Sequence, residues 1–140
     1  TIKEISHLFE NSGIKITTTL LKGLPKIKVD VNMMRQVLIN LIQNAQDAMI
    51  NNTKKPSIKI NTNKYKNYLI LSILDNGPGF SADILKKAFE PYVTSKSHGT
   101  GLGLAIVKKI IEEHEGNIVV ENIKSGGSHI NIQLPISKSK

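Results

Sequence analysis

Between Val37 and Met49 apolar residues return three and four positions apart, at Val37, Leu38, Leu41, Ile42, Ala45, Ala48 and Met49. On a helix turning about 100° per residue they form one continuous arc. The spacing predicts a long helix over roughly 31–50, with Asp30 as its cap. Elsewhere the period shortens to two. IKITTTL (14–20) alternates and reads as a strand, and KIKV (26–29), after Pro25, reads as a short one. SIKINTN (57–63) and NYLILSILD (67–75) read as strands around a polar turn, and NIVVEN (117–122) and SHINIQLP (128–135) as two more around KSGG. Helical spacing appears at Ile2, Ile5, Leu8 and Phe9, stopped by Ser12-Gly13. It returns from Ser81 to about Ala88, where Asp83 suits the first turn. Residues 89–100 read as loop. A glycine-led helix follows to His114, with Gly116 as its end cap. Helices alternate irregularly with strands, and most neighbouring strands are joined by short turns. The pattern predicts an α+β two-layer sandwich, with helices on one face of a mixed sheet.

Composition narrows the class. The chain has 140 residues, enough for one domain with a real core. It has no cysteine, which excludes disulfides and thiolate metal sites. No apolar run reaches the length of a membrane span, and none has the layout of a signal peptide. The start at Thr1, without methionine, reads as a piece of something larger. Net charge is +8. Lysines supply all of the basic residues except Arg35, and they scatter along the chain rather than lining one face. With aromatics at only 4%, nucleic acid is not the expected partner.

Four stretches carry candidate chemistry. On the long helix, Asn40, Asn44 and Asp47 fall within about 60° of arc beside the apolar face. Such a stripe can simply face solvent. Yet asparagine is a poor helix former, and an amide oxygen suits Mg²⁺, which keeps several waters and takes phosphate as ligand. In LSILDNGPGF (71–80) an apolar run ends abruptly in Asp75. Asn-Gly is a hairpin signal, but the following FSADILKKAF has helical character. A carboxylate at the end of a buried strand can accept from an amino group such as that of adenine. Gly77 and Gly79 would let a flat ring lie against the backbone. FEPYVTSKSHG (89–99) has the makings of a surface loop or of a flap over phosphate, with Phe89 as anchor and Lys96 as cation. SHGTGLGLAIVKK (97–109) leads glycines into a helix mouth, where free amides and the helix dipole favour an anion. It matches neither the GxxxxGK[ST] phosphate loop nor GxGxxG, since Ile106 stands where the last glycine would be. Lys108 and Lys109, with Glu112 and Glu113 one turn on, read as a solvated face.

In this order the stretches are far more specific than singly. QVLINLIQNAQDAM, DNGPGF, FEPYVTSK and GTGLGLAIVKKIIEEHEG closely resemble the asparagine, first glycine, phenylalanine and second glycine boxes of bacterial sensor histidine kinases. The resemblance spans essentially the whole chain, and the NAQDAM ending and short lid look most like the nitrogen-regulation sensor kinases. It implies the Bergerat ATP-binding fold, with residues 1–140 as a single catalytic domain and residues 1–12 as a linker helix from an upstream domain. By position, it gives Asn44 the Mg²⁺ bridging the ATP phosphates, with Asn40 supporting the metal's waters or a phosphate and Asp47 beside them. Asp75 would accept from the adenine amino group, and Gly77 and Gly79 would shape the adenine wall. Lys96 would reach the terminal phosphates. Gly99, Thr100, Gly101, Leu102 and Gly103 would hinge the lid and bring amides to the phosphates. Phe89 would pack the root of the lid. The closing Gly126-Gly127-Ser128 departs from the family's GxGT, with Ser128 in place of threonine.

The related ATPases and chaperones of the Bergerat fold place a glutamate one turn before the metal-binding asparagine. Here that position is Asn40, which cannot serve as a general base. The resemblance therefore implies phosphoryl transfer to a histidine rather than hydrolysis. His7 lacks the acidic residue and Asn-Pro that normally follow an acceptor, and His98, His114 and His129 lie within catalytic-domain elements. The acceptor is expected on a dimerisation domain of the same full-length protein. The onward partner would be a response regulator, and the whole protein would be membrane-associated with this domain cytoplasmic. A GHKL-type ATPase, a serine kinase and a non-catalytic nucleotide-binding module are the alternatives.

Overall fold

A computed structural model describes Ile2, Ile5, His7 and residues 13–20, 29–49, 55–79, 103–124 and 126–136. In chain order the elements are β1 (Lys15–Thr19), α1 (Val31–Met49), β2 (Ser57–Tyr65), β3 (Tyr68–Asp75), α2 (Gly103–Glu113), β4 (Asn117–Asn122) and β5 (Ser128–Pro135). The strands form one five-stranded sheet in the order β1-β2-β3-β5-β4. β1 runs parallel to β2, while β2–β3, β3–β5 and β5–β4 are antiparallel. The α+β sandwich read from the pattern is the fold observed.

Period-two alternation explains why one sheet face is buried. Ile58 and Ile60, Leu71 and Ile73, Ile118, and Ile130, Ile132 and Leu134 share that face and are buried. The apolar arc of α1 covers them with Val37, Leu38, Leu41, Ile42, Ala45 and Met49, joined by Val107, Ile110 and Ile111 from α2. Burying one such side chain stabilises the fold by about 1.5–3 kcal/mol. Ile2, Ile5 and His7 are helical, and Ile5 is 1% exposed within this same core. Ile5 is thus part of the domain's packing.

Local chemistry sets the ends of the elements. The Asp30 carboxylate accepts from the Met33 amide at 3.1 Å, and so caps α1 as expected. β2 and β3 meet in a two-residue turn, Lys66-Asn67, with Lys66 at φ 54°. Pairing continues right up to that turn, from Tyr65 to Tyr68, so β2 runs two residues beyond the expected 63. Gly116 does take part in the cap of α2, with the left-handed turn placed one residue earlier. Gly116 is not the left-handed residue: Glu115 is, at φ 60°. The Gly116 amide bonds the Ile111 carbonyl at 2.9 Å, which makes Glu115 the C′ residue and Gly116 the one after it. Gly116 is also needed for space, since a Cβ there would meet the Gln133 carbonyl oxygen at 2.5 Å. Lys108 and Lys109 are exposed with Glu112 and Glu113, and Lys108 pairs with Glu112 at 3.7 Å. Of the expected strand 26–29 only Val29 is described, and it is not in a strand. The expected helix 81–88 and loop 89–100 lie outside the described residues.

Candidate functional site

Asp75 is the last residue of β3, on the sheet face that the helices cover. Its half-buried carboxylate is held by its neighbours. Oδ1 accepts from the Gly77 amide at 3.0 Å and from the Ser128 amide at 3.3 Å, and Oδ2 accepts from the Ser128 hydroxyl at 2.5 Å. Ser128 is itself 4% exposed, the buried polar residue among the described ones. It opens β5, beside Asp75, because Leu74 pairs with His129. This approach requires glycine at 127: with φ +97°, a Cβ there would run into the Asp75 carbonyl.

The adjacent asparagine does different work. Asn76 Oδ1 accepts from the Ser57 amide and its Nδ2 donates to the Lys55 carbonyl, both at 2.8 Å. The Asn-Gly pair is therefore no hairpin turn. Asn76 clamps the start of β2, while Asp75 stays on the helix side. Gly77 and Gly79 also have protein neighbours where a Cβ would go. At Gly77 it would meet Met49 Cγ at 2.7 Å, and at Gly79 Asn122 Oδ1 at 2.9 Å. Their bareness lets the loop pack against the end of α1 and the end of β4, a need distinct from the ring stacking expected of them.

The contact with Met49 places the C-terminal end of α1 beside the Asp75 loop. Asn44 lies five residues earlier, about 7.5 Å back along the axis at 1.5 Å per residue. Asn40 and Asn44 are half-buried and Asp47 is exposed. α1 and α2 run antiparallel, for the start of α1 meets the end of α2: the Asp30 amide donates to His114 Nε2 at 3.0 Å. The N-terminus of α2, at Gly103, therefore lies toward the asparagine-bearing half of α1. One end of the sandwich thus brings together a fixed carboxylate, a carboxamide stripe and a helix mouth. Lys96, Gly99, Thr100, Gly101 and Leu102, together with Phe89, lie outside the described residues.

Residues 29–138 match the family model described as histidine kinase-, DNA gyrase B-, and HSP90-like ATPase. The chain belongs to that family. It is 40% identical over 111 residues to a putative NtrY-like sensor histidine kinase of Rickettsia bellii, an alignment covering 79% of this chain and 18% of that protein. The catalytic domain of the histidine kinase ThkA superposes with a TM-score of 0.81 at 34% identity, covering 96% of this chain and 89% of that one. A second ThkA structure, in complex with the response regulator TrrA, matches at a TM-score of 0.77 and 29% identity over 97% of this chain and 39% of that one. This is the ATPase domain of the sensor histidine kinase type, and it spans about a fifth of the length of the curated relatives it matches.

Within this ATPase domain no group of three His, Cys, Asp or Glu side chains among the described residues is placed to hold a metal ion. On α1 the candidate donors are the carboxamide oxygens of Asn40 and Asn44. Such a neutral donor fits Mg²⁺, which retains waters and shares phosphate oxygens. No described helix is long and apolar enough to cross a membrane. Ser128, which no local pattern marks as a site residue, is the principal holder of Asp75. The available signal was a hydroxyl that opens a strand after paired glycines. Its partner lies 53 positions away, a distance no local pattern spans.

Proposed function

We propose that this domain binds Mg-ATP and donates its γ-phosphate to a histidine on a separate dimerisation domain of the same protein, for onward transfer to a response regulator. The observation that carries the reading is the Asp75 carboxylate, fixed by Ser128 and Gly77 on the groove side of the sheet. A rigid acceptor there suits the adenine amino group. Gly77 and Gly79 border the base. Asn44 would ligate Mg²⁺, with Asn40 and Asp47 ordering its waters or a phosphate. Lys96 and the amides of Gly99, Thr100, Gly101, Leu102 and Gly103 would meet the phosphate tail. The ion, when bound, neutralises phosphate charge. The residues of this chain hold the base and aim the terminal phosphorus outward. An imidazole nitrogen of the partner histidine attacks that phosphorus, the bond to the β–γ bridging oxygen breaks, ADP leaves, and the imidazole N–H proton passes to solvent. Asn40, one turn before Asn44, offers no carboxylate to activate water, which supports transfer over hydrolysis. The ThkA complex with a response regulator supports the onward partner. We place the domain in the cytoplasm, as part of a membrane-associated sensor.

Calorimetry with ATP, with and without Mg²⁺, tests this. Asp75→Asn should weaken binding in both conditions by roughly tenfold, the loss of one hydrogen bond to a charged acceptor. Asn44→Ala should remove chiefly the Mg²⁺-dependent part, and equal losses in both conditions would count against its role. With labelled ATP the chain should bind but barely label itself. Stable label on one of its own histidines would refute the separate acceptor.

A further inference from the structure

His114 follows the last residue of α2, at the end away from Gly103. Its ring is engaged on both sides. Nδ1 lies 2.8 Å from the Ile110 carbonyl oxygen, and Nε2 lies 3.0 Å from the Asp30 amide nitrogen. A carbonyl only accepts and an amide N–H only donates, so Nδ1 carries the ring hydrogen and Nε2 is bare. Asp30 is also the cap of α1, through its carboxylate on the Met33 amide and its carbonyl on the Met34 amide. A single imidazole thus joins the first residue before α1 to the last turn of α2. Apolar packing between the helices has no direction of its own. A bond with one donor and one acceptor does, and it admits one register.

We infer that His114 is a positioning residue for the triphosphate half of the site, a role resting on the nucleotide reading above. Asn40 and Asn44 ride on α1, and the helix mouth rides on α2. Both are therefore referenced to the His114–Asp30 joint. From His114 to Gly103 the helix runs about 16 Å, and from Val31 to Asn44 about 20 Å, at 1.5 Å per residue. A tilt of about 4° at the joint moves the mouth of α2 by about 1 Å, a misplacement large enough to cost phosphate contacts made at fixed distance. The Asp75 end is less exposed to this. The donors to its carboxylate, Gly77 and Ser128, belong to the sheet and its loop, and α1 reaches them only through the packing of Met49 against Gly77.

The test compares two ligands on the same chain. His114→Phe keeps a ring and loses both hydrogen bonds, and His114→Gln returns an acceptor at the reach of Nε2. Affinities for Mg-ATP and for adenosine are measured by calorimetry, beside the thermal midpoint. The expected result is roughly tenfold weaker Mg-ATP binding by His114→Phe, a much smaller change in adenosine affinity, and substantial recovery in His114→Gln. Parallel losses for both ligands, or a lowered midpoint with both affinities intact, would reduce His114 to a stabilising contact and overturn the inference. If His114→Phe does not fold, His114→Asn, which keeps a donor for Ile110 but falls short of Asp30, is read by the same criteria. Failure of the wild-type chain to bind Mg-ATP would instead sink the nucleotide reading, and this role with it.

Discussion

Removing one oxygen atom at the start of β5 isolates what fixes Asp75. In Ser128→Ala the carboxylate keeps the two amide donors on Oδ1, at 3.0 and 3.3 Å, and loses the hydroxyl on Oδ2. A hydrogen bond to a charged group contributes about 1.5–3 kcal/mol. Asp75 is half-buried, so water replaces part of that, and about 1–2 kcal/mol is the expected loss. At 1.4 kcal/mol per factor of ten, adenosine and ATP affinities should both fall about 5- to 30-fold, with or without Mg²⁺. Calorimetry on Ser128→Ala, Asp75→Asn and the double variant measures this. Because the hydroxyl acts through the carboxylate, the double variant should lose little more than Asp75→Asn alone. Unchanged adenosine affinity in Ser128→Ala, or fully additive losses, would show that Ser128 does not serve base recognition through Asp75.

Three substitutions probe the frame. Gly127→Ala adds a Cβ that collides with the Asp75 carbonyl at a residue of φ +97°, and should destabilise the domain by at least about 3 kcal/mol in urea unfolding. Gly126→Ala, at φ +113° with nothing within 4 Å, should cost only the backbone term of about 1–2 kcal/mol; equal costs at the two positions would refute the steric account. Glu115→Gly should raise the thermal midpoint, by about 0.5–1 kcal/mol of stability, since Glu115 holds φ 60°. A fall in the midpoint would mean that its side chain contributes more than its backbone costs.

Much of this was legible because it was local. Period two in SHINIQLP and three-four spacing in QVLINLIQNAQDAM each report which face is buried, and both strand and helix lie where the pattern put them. Asp30 was readable as a cap because a cap is settled within one turn. Gly116 closes α2 through its amide, as an end cap does, but the left-handed residue is Glu115, one position earlier, while Gly116 also meets a demand for space from β5. Asp75 stood out as a charge ending an apolar run. Ser128, Asn76 and His114 did not, because each is explained by a partner in another element: the end of β3, the start of β2 and the start of α1. Sequence spacing shows which residues share a face, but not which distant groups meet across the core.

β5 is made after every other described strand, yet it lies between β3 and β4. Without residues 128–135 the sheet would lack a plank: β3 would keep only β2 beside it, and β4 would have no strand partner. Insertion of Ser128–Pro135 closes that gap and, with its first residue, delivers the hydroxyl to Asp75. Completion of the sheet and fixing of the Asp75 carboxylate are thus the same event, so on the proposed reading a domain without β5 has no finished seat for the base.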